Sequence, residues 1–188
     1  SPLPRGSGFQ FENKVVGGTV PKNFIPAVEK GLNEAIPDGI QAGYPIVDVK
    51  VSLYDGSYHA VDSSEMAFKI AAAMALKKGL ADGNPVLLEP IVKIKITVPD
   101  SFTGDIMSDL NGKRGRVSGM NPHGGWNTIE ATVPLAEVQR YAIDLRAITQ
   151  GRGVFEIQPS HYEEVPSHIA QKIIAAREEE KAAKAAEK

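Results

Sequence analysis

Ile46-Val47-Asp48-Val49-Lys50-Val51-Ser52-Leu53 runs straight into Tyr54-Asp55-Gly56-Ser57-Tyr58-His59-Ala60-Val61-Asp62-Ser63-Ser64-Glu65. The first stretch alternates. Val47, Val49, Val51 and Leu53 share one face, and Asp48, Lys50 and Ser52 the other, as in a half-buried strand. Past the second stretch the period lengthens. Ala67, Ile70, Ala71, Met74 and Ala75 fall on one face, widened by Phe68 and Leu76, which predicts a helix from Ser63 to about Leu80. Between strand and helix lies a short polar turn with Tyr58 and His59 at its apex. Asp62 and Glu65 have the spacing of an N-cap and its acidic partner, so the helix start is pinned there. A loop held by rigid elements on both sides is a natural place for functional side chains.

Upstream, Phe9 to Val15 alternates as a strand and Gly17-Gly18 breaks it. Pro21 to Ile36 reads as a helix with Phe24, Val28, Leu32, Ala35 and Ile36 on one face, and Pro26 is tolerable only near its first turn. Downstream, Pro85 to Pro90 reads as a stiff linker and a domain boundary. The pattern then restarts. Strands are expected at Val92–Val98, Arg116–Met120, Thr128–Val133 and Val154–Gln158. Helices are expected at Ser101–Leu110 and Leu135–Ile148, the second burying Leu135, Val138, Ala142, Leu145 and Ile148. Strand, helix, strand, strand, helix, strand is the split βαβ order of a ferredoxin-like sandwich. From Pro166 a helix begins through Ile169, Ile173 and Ile174; beyond Arg177 it has nothing apolar to bury. The expected fold class is therefore α+β. It comprises a βαβ domain over residues 1–89, a ferredoxin-like domain over 90–165 and a C-terminal helix over 166–188.

Composition excludes several classes. The chain has 188 residues, 42% of them hydrophobic, and a net charge of −2, which fits a core-forming protein and not one that coats nucleic acid by charge alone. No apolar run is long enough to span a bilayer. There is no Cys, so disulfides and thiolate-ligated zinc are out. His59, His123, His161 and His168 share no metal-ligand spacing. Gly17-Gly18, Gly124-Gly125 and Gly151-Arg152-Gly153 lack the Gly-Lys-Ser/Thr of a phosphate loop and read as turns. The chain begins at Ser1 without a Met and is expected to be a piece of a longer protein.

His59, Asp62 and Ser63 lie close enough to raise a hydrolase triad, but there is no Gly-x-Ser-x-Gly elbow, and capping explains Asp62 and Ser63 better. No catalytic residue is assigned. Tyr58 and His59 can stack on and hydrogen-bond to nucleotides, or be an ordinary exposed loop. Lys113-Arg114-Gly115-Arg116 is the densest basic cluster. It can be favourable charge at a helix C-terminus or a grip on phosphate. The sheet of the second domain carries no aromatic on Val92–Val98 or Thr128–Val133, which excludes base stacking of the RNA-recognition-motif kind.

Several segments carry a specific resemblance. Gly17-Gly18-Thr19-Val20-Pro21-Lys22, Ala42-Gly43-Tyr44-Pro45-Ile46-Val47-Asp48-Val49, Asp55-Gly56-Ser57-Tyr58-His59, Val61 to Lys69, Val86-Leu87-Leu88-Glu89-Pro90-Ile91, Gly104 to Leu110 and Leu145 to Gly153 resemble the C-terminal part of bacterial elongation factor G. The match runs over residues 2–175 in order. The resemblance implies a fourth domain with a left-handed βαβ crossover and a ferredoxin-like fifth domain. It also implies that the family's first strand of the fourth domain would precede Pro2, leaving an open sheet edge here. Gly56, Ser57, Tyr58 and His59 match the tip that contacts tRNA and mRNA in the decoding region of the small ribosomal subunit. Lys113, Arg114 and Arg116 become candidates for ribosomal RNA contact near the large-subunit factor-binding centre. The resemblance implies ribosome, tRNA and mRNA as partners, a cytoplasmic setting and no membrane. GTP and Mg²⁺ would belong to a GTPase domain outside this chain, which would bind no cofactor or metal and catalyse nothing itself. The role implied is GTP-dependent translocation; a paralogous ribosome-protection or recycling GTPase is the alternative.

Overall fold

The computed structural model describes residues 1–186 and divides into two compact units, Ser1–Pro85 with the C-terminal helix, and Val86–Pro166. In the first unit, β1 (Phe9–Asn13) pairs in parallel with β2 (Val49–Leu53), Phe9 opposite Val49 and Asn13 opposite Leu53. Between them run a 3-10 turn (Lys22–Phe24) and α1 (Ile25–Ala35), with Pro26 in the first turn, where its missing N–H costs nothing. α2 (Glu65–Asp82) follows β2, and α5 (Ser167–Ala186) closes the chain. On the far side of β2, the Leu3 N–H donates to the Asp48 carbonyl and the Lys50 N–H to that of Ser1, both at 2.8 Å. The other edge of β1 carries no strand among the described residues.

Several expectations change in this unit: β1 ends at Asn13 and not Val15, and the helix expected over Pro21–Ile36 is a 3-10 turn followed by α1 from Ile25. β2 starts at Val49, not Ile46, because Asp48 takes a left-handed backbone (φ 58°) and turns its carboxylate to accept the Gly8 N–H at 3.0 Å. α2 starts two residues later than predicted, capped by Ser64, whose hydroxyl accepts the Ala67 N–H at 3.1 Å; Asp62 stays in the preceding turn. Its buried face is also different. Ala72 and Leu76 are buried, with Phe68, Ala73 and Leu80 half-buried, whereas Met66, Ile70 and Met74 are 60%, 52% and 65% exposed. α2 is apolar almost all round, so periodicity alone selects no face. The selection comes from α1. Gly31 lies so close to α2 that a Cβ there would drive into the Lys69 carbonyl oxygen. That approach buries Val28, Leu32 and Ala35 against Ala72 and Leu76 and leaves Met66-Ile70-Met74 as an outward stripe at i, i+4, i+8.

Glu12 ties the two strands together, with Lys50 Nζ at 2.7 Å, Lys14 Nζ at 3.3 Å and the Ser52 hydroxyl at 3.1 Å. Its hydrogen bond to Lys50, above all, lowers its pKa from the ordinary 4.5 to about 2; desolvation opposes this, and Ser52 and Lys14 add to it. A depressed carboxylate stabilises the fold fully above its unfolded pKa and ceases to as pH falls through the folded one. Amide protection across β1 and β2 is therefore expected to fall as pH drops from 4.5 to about 2. Hydrogen exchange should show that fall flattened in Glu12→Gln.

In the second unit, β3 (Leu88–Pro99), α3 (Thr103–Gly112), β4 (Arg116–His123), β5 (Trp126–Pro134), α4 (Tyr141–Thr149) and β6 (Val154–Glu164) form an antiparallel sheet of order β4-β5-β3-β6 with its two helices. That is the ferredoxin-like arrangement the element order predicts. Ile94, Ile96 and Val98 are buried while Lys93 and Lys95 are exposed, so one face packs on the helices and the other is open. Ile106 and Leu110 of α3 and Leu145 of α4 complete the core.

The stretch expected as a linker is already strand from Leu88. Pro90 fits because it lies opposite Tyr162 of β6, while pairing with β5 starts only at Ile91, so its missing N–H breaks no ladder there. The helix expected over Leu135–Ile148 is split into a 3-10 turn (Leu135–Val138) and α4. The break shifts the phase. Val138, Tyr141, Leu145 and Thr149 are buried, while Leu135 and Ala142 are exposed.

Candidate functional site

The turn after β2 is shaped by contacts from both sides. The Lys14 N–H donates to the Leu53 carbonyl at 2.7 Å, fixing the end of β2. The Asp55 carboxylate accepts the Gly56 N–H at 2.8 Å. Gly56 then passes over buried Val20, so closely that a Cβ on Gly56 would sit 2.5 Å from Val20 Cγ2. Ser57 is exposed. The Tyr58 ring leans on Phe24 at a centroid distance of 5.7 Å, and Phe24 stacks on Phe68 of α2 at 4.7 Å.

His59 follows, exposed, with its backbone closed on Ser63. The His59 N–H donates to Ser63 Oγ at 3.0 Å and the Ser63 N–H donates to the His59 carbonyl at 3.1 Å. Both backbone polar groups of His59 are thus used inside the loop. Its imidazole has no hydrogen-bond or ion-pair partner among the described residues. Gly56, Ser57, Tyr58 and His59 lie in one loop, as expected, but they are not equivalent. All four are exposed, Tyr58 at 44%, but Gly56 and Tyr58 also touch Val20 and Phe24 of the β1–α1 connection, whereas Ser57 and His59 make no such contact.

This geometry offers no nucleophilic chemistry. The Ser63 hydroxyl meets the His59 backbone and not its ring, so the base-to-nucleophile contact of a triad is absent. Sequence reasoning missed Ser63 as the loop latch, and it placed Phe24 only in the core of α1. A signal for both was present: a Ser directly before the N-cap, and an aromatic just ahead of the first turn of α1.

The basic cluster sits at the end of α3. The Arg114 N–H donates to the Asn111 carbonyl at 3.2 Å and the Gly115 N–H to the Leu110 carbonyl at 2.7 Å, a Schellman closure. Arg114, not a glycine, takes the left-handed position (φ 58°). Its guanidinium is bidentate to Glu89, at 2.5 and 2.9 Å, and reaches Glu137 at 3.0 Å. The Glu89 hydrogen bonds, above all, raise its pKa; desolvation works against them and Glu137 supports them.

Lys113 is held by Asp109 at 2.7 Å and Asp144 at 3.2 Å. Desolvation lowers its pKa, but the two carboxylates outweigh that and the net shift is upward. Arg116 differs: its side chain is 78% exposed, with Glu163 at 3.6 Å. Of the three candidate contacts, Lys113 and Arg114 have their charges matched inside the unit, and Arg116 keeps its charge largely in solvent. The recess beside them, lined by Glu89, Arg114, Arg116 and Glu163, measures about 110 Å³, too small for a nucleotide.

The glycine pairs serve as turns. Gly124-Gly125, both at positive φ, close the β4–β5 hairpin between His123 and Trp126. Gly151 (φ 81°) lies just past the end of α4. Among the described residues no group of three or more acidic, His or Cys side chains could hold a metal ion. Among them, too, no helix is long and apolar enough to cross a membrane.

Comparisons with known proteins agree with this architecture. Residues 1–84 match the family model "Elongation factor G, domain IV" and residues 86–173 the model "Elongation factor G C-terminus". A crystal structure of a protein from Thermus thermophilus is 44% identical, with a TM-score of 0.80 over 95% of this chain. The chain spans 27% of the length of that protein.

Proposed function

Because this chain belongs to the elongation factor G family, we propose that it is the ribosome-reaching end of a GTP-driven factor that moves tRNA and mRNA through the ribosome. In this reading the loop around His59 enters the decoding region of the small subunit and contacts the tRNA–mRNA pair. The ferredoxin-like unit meets ribosomal RNA of the large subunit through Arg116. The setting is the cytoplasm. GTP and Mg²⁺ do not fit here, since this chain has no Gly-Lys-Ser/Thr phosphate loop; they belong to a domain elsewhere in the factor. The chain works by sterics and by preference. It occupies the space beside one state of the tRNA–mRNA complex better than the other, and so disfavours slippage backward.

The observation that carries this reading is the presentation of His59. A loop that satisfies both backbone polar groups of one residue internally and leaves its imidazole in solvent is built to offer that side chain to a partner. Imidazole suits RNA, since it can stack on a base and hydrogen-bond to phosphate or ribose. In the full-length factor, His59→Ala should slow translocation by about tenfold, the scale of one hydrogen bond to a charged group. GTP hydrolysis on the ribosome should stay near the unaltered rate. Stopped-flow measurement of mRNA movement and phosphate release checks both. Unchanged translocation would end the assignment of His59.

A further inference from the structure

We propose that Phe24 and Ser63 are positioning residues for His59, and that Tyr58 belongs to the clamp that holds the loop and not to the surface that meets the partner. The proposal rests on the reading of the loop as a ribosome-reaching tip, and it assigns that site its internal machinery.

Three contacts carry it. Tyr58 leans on Phe24, and Phe24 stacks almost parallel on Phe68 (interplanar angle 18°), so an aromatic ladder ties the loop to α1 and α2 together. Gly56 lies on Val20 with no room for a side chain between them. Ser63 closes the other end through its paired backbone and hydroxyl bonds to His59. The loop is thus held before and after His59. The two residues in contact on its near side, Gly56 and Tyr58, bracket Ser57; all three remain exposed, and only the flanking two touch the β1–α1 connection. The Tyr58 ring meets Phe24 at a tilt of 37° and is 44% exposed, so the contact restrains it from one side. Such a clamp fixes the position of the next side chain without touching the partner.

The test has two arms. In the chain itself, Phe24→Ala and Tyr58→Ala should each speed solvent exchange of the His59 and Ser63 amides by about tenfold, the scale of one aromatic contact. Tyr58→Phe, which keeps the ring, should leave them unchanged, and so should every variant leave the Leu32 amide of α1. Ser63→Ala, which removes only the acceptor, should speed the His59 amide alone. If Phe24→Ala unfolds the unit, Phe24→Leu and Ser63→Ala are read in its place.

In the full-length factor, Phe24→Ala should slow translocation by about tenfold when His59 is present. It should add less than about twofold in a His59→Ala background, because coupled residues are not additive. Unchanged loop exchange, or effects of Phe24→Ala and His59→Ala that multiply in full, would overturn the clamp. A translocation loss in Tyr58→Phe as large as in Tyr58→Ala would also overturn it, by returning the hydroxyl to the contact surface. If His59→Ala leaves translocation unchanged, the tip reading fails, and the exchange arm still judges the clamp alone.

Discussion

Arg114→Ala is expected to destabilise the ferredoxin-like unit by about 2–4 kcal/mol, the range for breaking a partly buried ion pair and orphaning its partner. Two losses combine. Glu89, whose side chain is 12% exposed, loses both hydrogen bonds to the guanidinium. Glu137 loses its bond to the same guanidinium, while the left-handed backbone at φ 58° costs alanine what it already costs arginine. Arg114→Gly removes the same charges but accepts that backbone freely, so it should be less destabilising than alanine by about 1 kcal/mol. Replacing Glu89 by Leu in the same molecule as Arg114→Met should recover most of the loss, since apolar pairs substitute for buried ion pairs at little cost. Arg116→Ala should stay within about 0.5 kcal/mol of the parent, as exposed pairs do. Trp126 is the only tryptophan of the chain and lies in β5, so its fluorescence in urea follows this unit. Parental stability in Arg114→Ala would mean that the Glu89 pair contributes nothing, and would reopen Arg114 as a contact to RNA.

That outcome bears on what a sequence can convey. Lys113-Arg114-Gly115-Arg116 reads as one cluster, yet its members have different fates. The partners that divide them, Glu89, Glu137 and Asp144, are distant in sequence and brought near only by folding of the whole unit. Elements with one clear apolar face were legible. The alternation of β3 left one way to pack, and the ferredoxin-like order followed. Elements with two apolar faces were not. α2 offers Ala67-Ile70-Ala71-Met74 and Phe68-Ala72-Leu76 as equally good stripes, and only the close crossing at Gly31 distinguishes them. The break at Gln139-Arg140 carries no Gly or Pro to announce it, so Tyr141 and Thr149 were lost from the expected core. At the candidate site the loop and the exposed position of His59 within it were legible from flanking periodicity and local polarity. Its clamp was not, because Val20 and Phe24 reach it from an earlier segment of the chain.

The same close crossing yields an expected result whose sign is not obvious. Gly31→Ala replaces a poor helix former with the best one, an intrinsic gain of about 1 kcal/mol. Gly79→Ala makes the same exchange in α2, where a new Cβ meets nothing within 4 Å, and should stabilise the unit by about 0.5–1 kcal/mol. At Gly31 the Cβ would meet the Lys69 carbonyl oxygen and stand 2.9 Å from Lys69 Cα. These are backbone atoms within a helix, so no rotamer change relieves the clash, and α1 and α2 must separate. The expected net effect is a destabilisation of about 1–3 kcal/mol for alanine, and more for Gly31→Val, where overpacking and β-branching add. The separation should travel. Phe68 stands on α2 one residue before Lys69 and supports Phe24 beneath Tyr58, so the loop around His59 should loosen with the helices. Amide exchange in α1, α2 and residues 56–63 should rise together, while Trp126 unfolding stays at its parental midpoint. A stabilised Gly31→Ala, matching Gly79→Ala, would show that α1 and α2 do not cross this closely. The Phe68–Phe24–Tyr58 ladder would then lose its support from the helix pair, and with it the clamp on the near side of His59.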